Sequence, residues 1–297
     1  MIDWIKYFPL EIRNIEKFKK QETPRGPSFN FATTKEFNIG GSQLCFKTPR
    51  HRPSQSSYKS FNAGHRSDLL LHRYSEYSRD TMPDDSWLSM PAFSRNFAFY
   101  GPWFIGPQYQ LGMYINIITP RTPKEDVSFF HPRALENALA NHLISLYGHE
   151  GSNTNRSSVA PINWTPNKSL PVPAVVYDIM PAPENNTGSR EQIFSFPVTN
   201  QHILKVILVH DIYDQDMALS IEQLKDLFDV TPMEQLADDI LKSFKLTLSP
   251  EIQAQYDRVK ATCPDMSLVE EFAPLKWSTD VNGHPHNELP GIESKTA

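Results

Sequence analysis

The chain has 297 residues, 39% of them hydrophobic and 21% charged, enough apolar surface for a sizeable core in one large or two ordinary domains. No run of 18 apolar residues predicts a membrane helix, no period of 20–50 residues predicts a solenoid, and the two cysteines, Cys45 and Cys263, form no CxxC. The net charge of −5 is unevenly spread: residues 1–79 carry an excess of seven cations, and the remainder an excess of twelve anions.

The first twenty residues scatter charges through the run and contain no apolar core or small-residue cleavage site, so no signal peptide is expected. Alternation then begins in Ser28–Phe31, continues in Lys35–Ile39 and Gln43–Phe46, and predicts a hairpin turning on Gly40-Gly41. Residues 49–66 are polar and basic and read as a loop, and Asp68–Tyr74 as a short strand. A second loop is expected to about Arg95. Phe97-Ala-Phe99 then leads into Tyr100–Pro107, YGPWFIGP, with three aromatics, two glycines and two prolines in eight residues. Beyond it Leu111, Met113, Ile115 and Ile117 alternate as a half-buried strand does. The motif therefore reads as a stiff corner between strands, with Trp103 and Phe104 plugging the edge of a core; a partner-gripping loop is the alternative.

FFHPRALENALANHLISLYG, residues 129–148, reads as the best helix. Pro132 suits its first turn, Leu135, Leu139, Leu143 and Leu146 line one face, and Gly148 suits its end. A loop through residues 150–170 precedes a strand at Pro173–Ile179, and two more strands follow at Ile193–Pro197 and Ile203–His210 around Asn200. Thr231-Pro-Met-Glu has the spacing of a capping box with Thr231 as N-cap. FKLTL at 244–248 reads as a strand, and a helix is expected from Ser249 to about Thr262. These elements predict an α+β fold with mainly antiparallel sheet and helices packed on it. It is either one continuous sheet or two lobes: a β-rich lobe over 1–90 and an α+β lobe over 91–277, with a disordered tail at 278–297.

No phosphate-binding glycine loop, nucleotide fingerprint, nucleophile elbow or HExxH occurs. Weaker constellations remain. His210, Asp211, Asp214 and Asp216 have metal-ligand chemistry without the spacing of a known loop, and read more simply as a strand running into a solvated turn. His149-Glu150, His284 with His286, and Ser67-Asp68 near His65 and His72 have the right residue types and no supporting motif. The loop carrying Arg50, His51, Arg52, Lys59, His65 and Arg66 with Tyr58 and Phe61 could meet phosphate and bases, but it is short and the protein acidic. The sharpest charge feature is Asp211–Asp239, nine carboxylates against Lys225 alone. Such a surface repels nucleic acid and attracts a basic partner; its plain alternative is an exposed pair of helix faces.

FYGPWF at 99–104, FFHPRALE at 129–136, PINW at 161–164, PMEQLADDILKSFKLTLSPE at 232–251 and APLKW at 273–277 together resemble an uncharacterised proteobacterial family associated with type VI secretion toxin loci. The family includes a protein that looks like the immunity partner of a GHH-type nuclease toxin. The resemblance spans roughly residues 90–277 and is weak before them. It implies a cytoplasmic, non-enzymatic protein that binds and neutralises a toxin, without cofactor, metal, nucleic acid or membrane. On that reading Asp211, Asp214, Asp216, Glu222, Asp226 and Asp229 are the expected contacts with a basic toxin. A chaperone or adaptor for a secreted effector, and a hydrolase using the His210 cluster, are the alternatives.

Overall fold

In the computed structural model, which describes residues 23–53, 59–63, 68–71, 86–103, 106–147, 158, 161–181, 189–212, 229–271, 278–279 and 285–286, the hairpin on Gly40-Gly41 forms as expected. Strands β1 (Thr33–Ile39) and β2 (Ser42–Thr48) pair antiparallel, and both glycines take left-handed φ values, 57° and 80°. A turn of that hand matches the twist of the strands it joins, and glycine adopts it without a Cβ penalty. The carboxylate of Asp68 braces the turn by accepting from the backbone N–H of Gly40, Gly41 and Leu70. That residue was expected to open a strand. Instead it begins a 3₁₀ turn at Leu69–Leu71, because its carboxylate is engaged by the hairpin and by Leu70 N–H. Ser28 likewise caps a 3₁₀ turn at Phe29–Phe31 where alternation predicted a strand.

Ten further strands and three α-helices follow among the described residues. The strands are β3 (Phe61–Asn62), β4 (Trp87–Tyr100), β5 (Pro107–Pro120), β6 (Ile162–Asn167), β7 (Ala174–Ile179), β8 (Ser189–Thr199), β9 (His202–Ile212) and β10 (Lys245–Thr247), with a two-residue ladder of β11 (Ser278–Thr279) on β12 (Pro285–His286). The helices are α1 (Pro132–Tyr147), α2 (Thr231–Lys242) and α3 (Pro250–Thr262). The fold is α+β, with a seven-stranded antiparallel sheet ordered β3-β4-β5-β9-β8-β7-β6 and a three-stranded sheet ordered β1-β2-β10.

Strand β4 begins where a loop was expected. A bulge between Pro91 and Phe93 shifts the alternation by one residue there, which hides the strand from a period-2 reading. Strand β6 was also read as loop. It is an edge strand with Pro166 in it and a register shift between Ile162 and Thr165, where Asn163 sits at φ 55°. Both features keep an exposed edge from pairing with another chain.

The large sheet buries both faces. On one, β1, β2, α2 and α3 cover it: Phe46 stacks on Phe244 at 4.9 Å and meets Phe93 edge-on at 5.3 Å. Tyr256 from α3 lies 5.4 Å from Phe130. On the other face, Leu135, Leu139 and Leu143 of α1 pack over Ile118, Tyr177, Ile193 and Ile203. Leu146, expected on that stripe, is exposed. The alternation that builds this double-faced sheet is visible in β8, where Phe194, Phe196 and Val198 belong to the first core and Ile193 to the second.

The boundary expected at residues 90/91 falls inside β4. Strand β2 is hydrogen-bonded to β10, and Phe37 and Phe46 share a core with Phe93 and Phe244. Residues 23–90 and 91–271, where described, thus share a sheet and a core.

Candidate functional site

The acidic segment is tied to the sheet at one tyrosine. Tyr109 follows YGPWFIGP in β5, is fully buried against Phe99 at 4.8 Å, and pairs across the ladder with Ile212, the last residue of β9. Its hydroxyl donates to the backbone carbonyl of Asp229 at 3.0 Å. Burial pushes the phenol pKa well up, with the charges of Asp229 and Glu234 adding to it, so the hydroxyl remains a donor. Chain leaving the sheet at Ile212 and chain returning at Asp229 therefore meet the same residue.

Two of the six expected contact carboxylates can be placed. Asp211 lies in β9 opposite Gln110 and Ser189, and burial raises its pKa. Asp229 precedes α2, where its carboxylate accepts from Thr231 N–H at 3.1 Å and from the Thr23 hydroxyl at 3.0 Å. Hydrogen bonding to Thr231, and secondarily to Thr23, holds its pKa below the ordinary carboxylate value. Asp229 therefore does the work assigned to Thr231 from the capping-box spacing. Thr231 is itself the first helical residue, and the Val230 before it has no side-chain acceptor to offer. Asp214, Asp216, Glu222 and Asp226 lie outside the described residues.

His210 is buried, and its ring lies 3.5 Å from the Arg190 guanidinium, which reaches Glu234 of α2 at 3.8 Å. Among the described residues no group of three or more His, Cys, Asp or Glu side chains is placed to hold a metal ion. His149, Glu150, His284, and Ser67 with His65 and His72 lie outside the described residues, and Asp68 serves the β1–β2 turn. Of the basic loop, His51 Nδ1 accepts from Asn96 N–H at 2.9 Å and the Arg52 guanidinium lies 4.5 Å over the Tyr100 ring. Both residues thus serve to cover the outer edge of β4; Tyr58, His65 and Arg66 lie outside the described residues.

YGPWFIGP forms the tip of the β4–β5 hairpin. Gly101 N–H donates to Gly106 carbonyl at 2.9 Å, and Gly106 takes φ 90°. Trp103 was expected to plug a core edge. It is 61% exposed and adopts φ 55°, a left-handed conformation costly for a bulky residue. Phe104 lies outside the described residues. Among its described residues the tip closes on the Gly101–Gly106 hydrogen bond and presents an indole to solvent.

One buried pair has no counterpart in the sequence reading. Lys205 of β9 is 2% exposed, and its ammonium lies 3.1 Å from Nε2 of His142 on α1. Burial lowers the lysine pKa to about 8, with Glu191 opposing, and lowers that of His142 to about 2, with the Lys205 charge adding. Nδ1 of His142 is buried without a hydrogen-bond partner among the described residues, and Trp87 meets its ring edge-on at 5.1 Å. The available signal was a lysine inside the apolar run ILKVILV, and a histidine three residues beyond Leu139 on the buried stripe.

No family model matches this chain, and comparison with curated proteins likewise returns no match.

Proposed function

We propose that the chain is an immunity protein, binding and neutralising a cognate secreted antibacterial nuclease toxin in the cytoplasm, the function its resemblance implies. The observation that supports this most is the anchoring of the acidic segment. Its ends, Ile212 and Asp229, converge on Tyr109 beside the hairpin tip that exposes Trp103. Carboxylates along that segment attract a basic partner over long range, and an exposed indole is suited to fill a pocket on it. Asp211 and Asp229 border the surface, while the hydrogen bonds of Asp229 assign it a supporting task as well.

The test is co-purification with the product of the neighbouring toxin gene, together with protection of cells expressing that toxin. Failure of both overturns the immunity reading. Replacing Asp214, Asp216, Glu222 and Asp226 by lysine is expected to abolish protection. Protection that survives those four changes would overturn the acidic surface and leave immunity standing.

A chaperone or adaptor for a secreted effector is the second reading, favoured by the exposure of Trp103. It predicts loss of effector export on deletion, where immunity predicts loss of survival. The hydrolase reading is not carried forward, since His210 is buried against Arg190.

A further inference from the structure

Two neighbouring strands of the large sheet enclose acceptor atoms that meet no donor. Asp178 of β7 and Gln192 of β8 stand directly opposite in the antiparallel ladder, so their side chains share one face of the sheet. Phe194, two residues beyond Gln192, and Leu208, opposite Gln192 on β9, put that face in the first core. Asp178 is 5% exposed, and its Oδ1 is buried without a hydrogen-bond partner among the described residues. Oε1 of Gln192 is buried in the same condition. The second carboxylate oxygen, Oδ2, accepts from Asn163 Nδ2 at 2.7 Å. Asn163 lies in the β6 irregularity, next to Ile162, the residue opposite Asp178. Its φ of 55° is a left-handed conformation that asparagine tolerates, and from there its amide covers the carboxylate.

A carboxylate taken out of water needs a counterion or several donors. Asp178 has one neutral donor, and no Lys, Arg or His lies within ion-pair distance of it among the described residues. Arg190, two residues before Gln192 on the same face, is turned to His210 and Glu234. Turning the Gln192 amide over would give Asp178 a second neutral donor and leave the charge uncompensated. Carboxylate and amide oxygens are hard ligands, which suit alkali and alkaline-earth ions better than copper or zinc. A single negative charge selects a monovalent ion, because a divalent one would leave net positive charge in the core.

We propose that Asp178 Oδ1 and Gln192 Oε1 bind an alkali cation, sodium or potassium, with water completing its shell. The ion ties β7 to β8 beside the edge strand β6. The proposal does not depend on the immunity reading, since the site needs no partner protein.

Thermal melts of the full-length protein in sodium, potassium or choline chloride at one ionic strength test it, choline being too large for the site. Matched ionic strength holds screening constant. The melting temperature is expected to be higher by about 3 °C in sodium or potassium than in choline, and the better of the two names the ion. Exchanging that ion for choline stepwise at fixed total salt should give a saturating curve. Asp178→Asn should remove the difference and, in choline, melt no lower than the parent, because the uncompensated charge is gone. Equal melts of the parent in all three salts would overturn the proposal, even if the variant failed to fold. A cation effect retained by Asp178→Asn would place the ion elsewhere and overturn it too.

Discussion

At the scale of single residues, the Lys205–His142 contact is the feature that most needs a physical account. An ammonium at 2% exposure has one neutral acceptor, and among the described residues no carboxylate is hydrogen-bonded to it. Buried charge whose counterion, here Glu191, acts only at a distance is costly, and replacing such groups by apolar ones often stabilises. The double replacement Lys205→Met/His142→Leu is therefore expected to raise stability by about 1–4 kcal/mol, measured by urea denaturation. His142→Leu alone should lower it by about 3 kcal/mol, since the ammonium then loses its acceptor. Both pKa values are depressed, so in each case the unfolded chain binds protons more readily. Stability should fall as pH drops below the ordinary histidine value of 6.5 toward about 2, and rise between about pH 8 and the ordinary lysine value of 10.5. If the double variant retained the alkaline rise seen in the parent, Lys205 would not be its source.

At the scale of elements, Asp68 illustrates how a side chain can decide a fold locally. Three backbone N–H groups converge on its carboxylate, two from the β1–β2 turn and one from its own 3₁₀ turn. Asp68→Ala should cost about 2–4 kcal/mol, because bonds to a charged acceptor are the stronger kind and the donors lose their partner. Gly40→Ala should also destabilise, by about 1–2 kcal/mol, since φ is 57° and the new Cβ would lie 3.0 Å from Leu70 Cδ1. Chemical denaturation checks both. Elements with an uninterrupted period were legible: the hairpin, β5, β7, α1 and α3 all lie where their patterns put them. Those whose period is interrupted were not, as the bulge in β4 and the kinked, proline-bearing β6 show. For α2 the helix was legible and its cap was not. The Asp229 carboxylate takes the Thr231 N–H, and the Val230 carbonyl takes the Met233 and Glu234 N–H groups that a Thr231 cap would have met, so the helix starts one residue earlier than the spacing suggests.

At the scale of the whole molecule, the pairing of β2 with β10 joins residues about two hundred positions apart. A fragment beginning at residue 91 would leave Phe93 and Phe244 without Phe46 and Phe37, exposing the first core. Such a fragment is expected to show no cooperative thermal transition, and a sharp melt would overturn this account of the core. Trp103 makes the opposite case. Its exposure predicts that Trp103→Ala leaves the melt within about 0.5 kcal/mol of the parent while weakening toxin binding under the proposed function.

By itself the sequence determined the fold class, the sites of the elements whose period is uninterrupted and the concentration of acid after residue 211, since each depends on local period or local composition. Tertiary structure alone decided which segments share a core, which aromatics stay in solvent and which polar side chains are enclosed. The physical reason is that burial is a property of pairs of elements. Trp103 looks like core until the hairpin tip is seen to project, and Lys205 looks like surface until α1 closes over it. The acidic segment illustrates both halves: its charge is written in its residues, and the meeting of its two ends at Tyr109 is written only in the sheet.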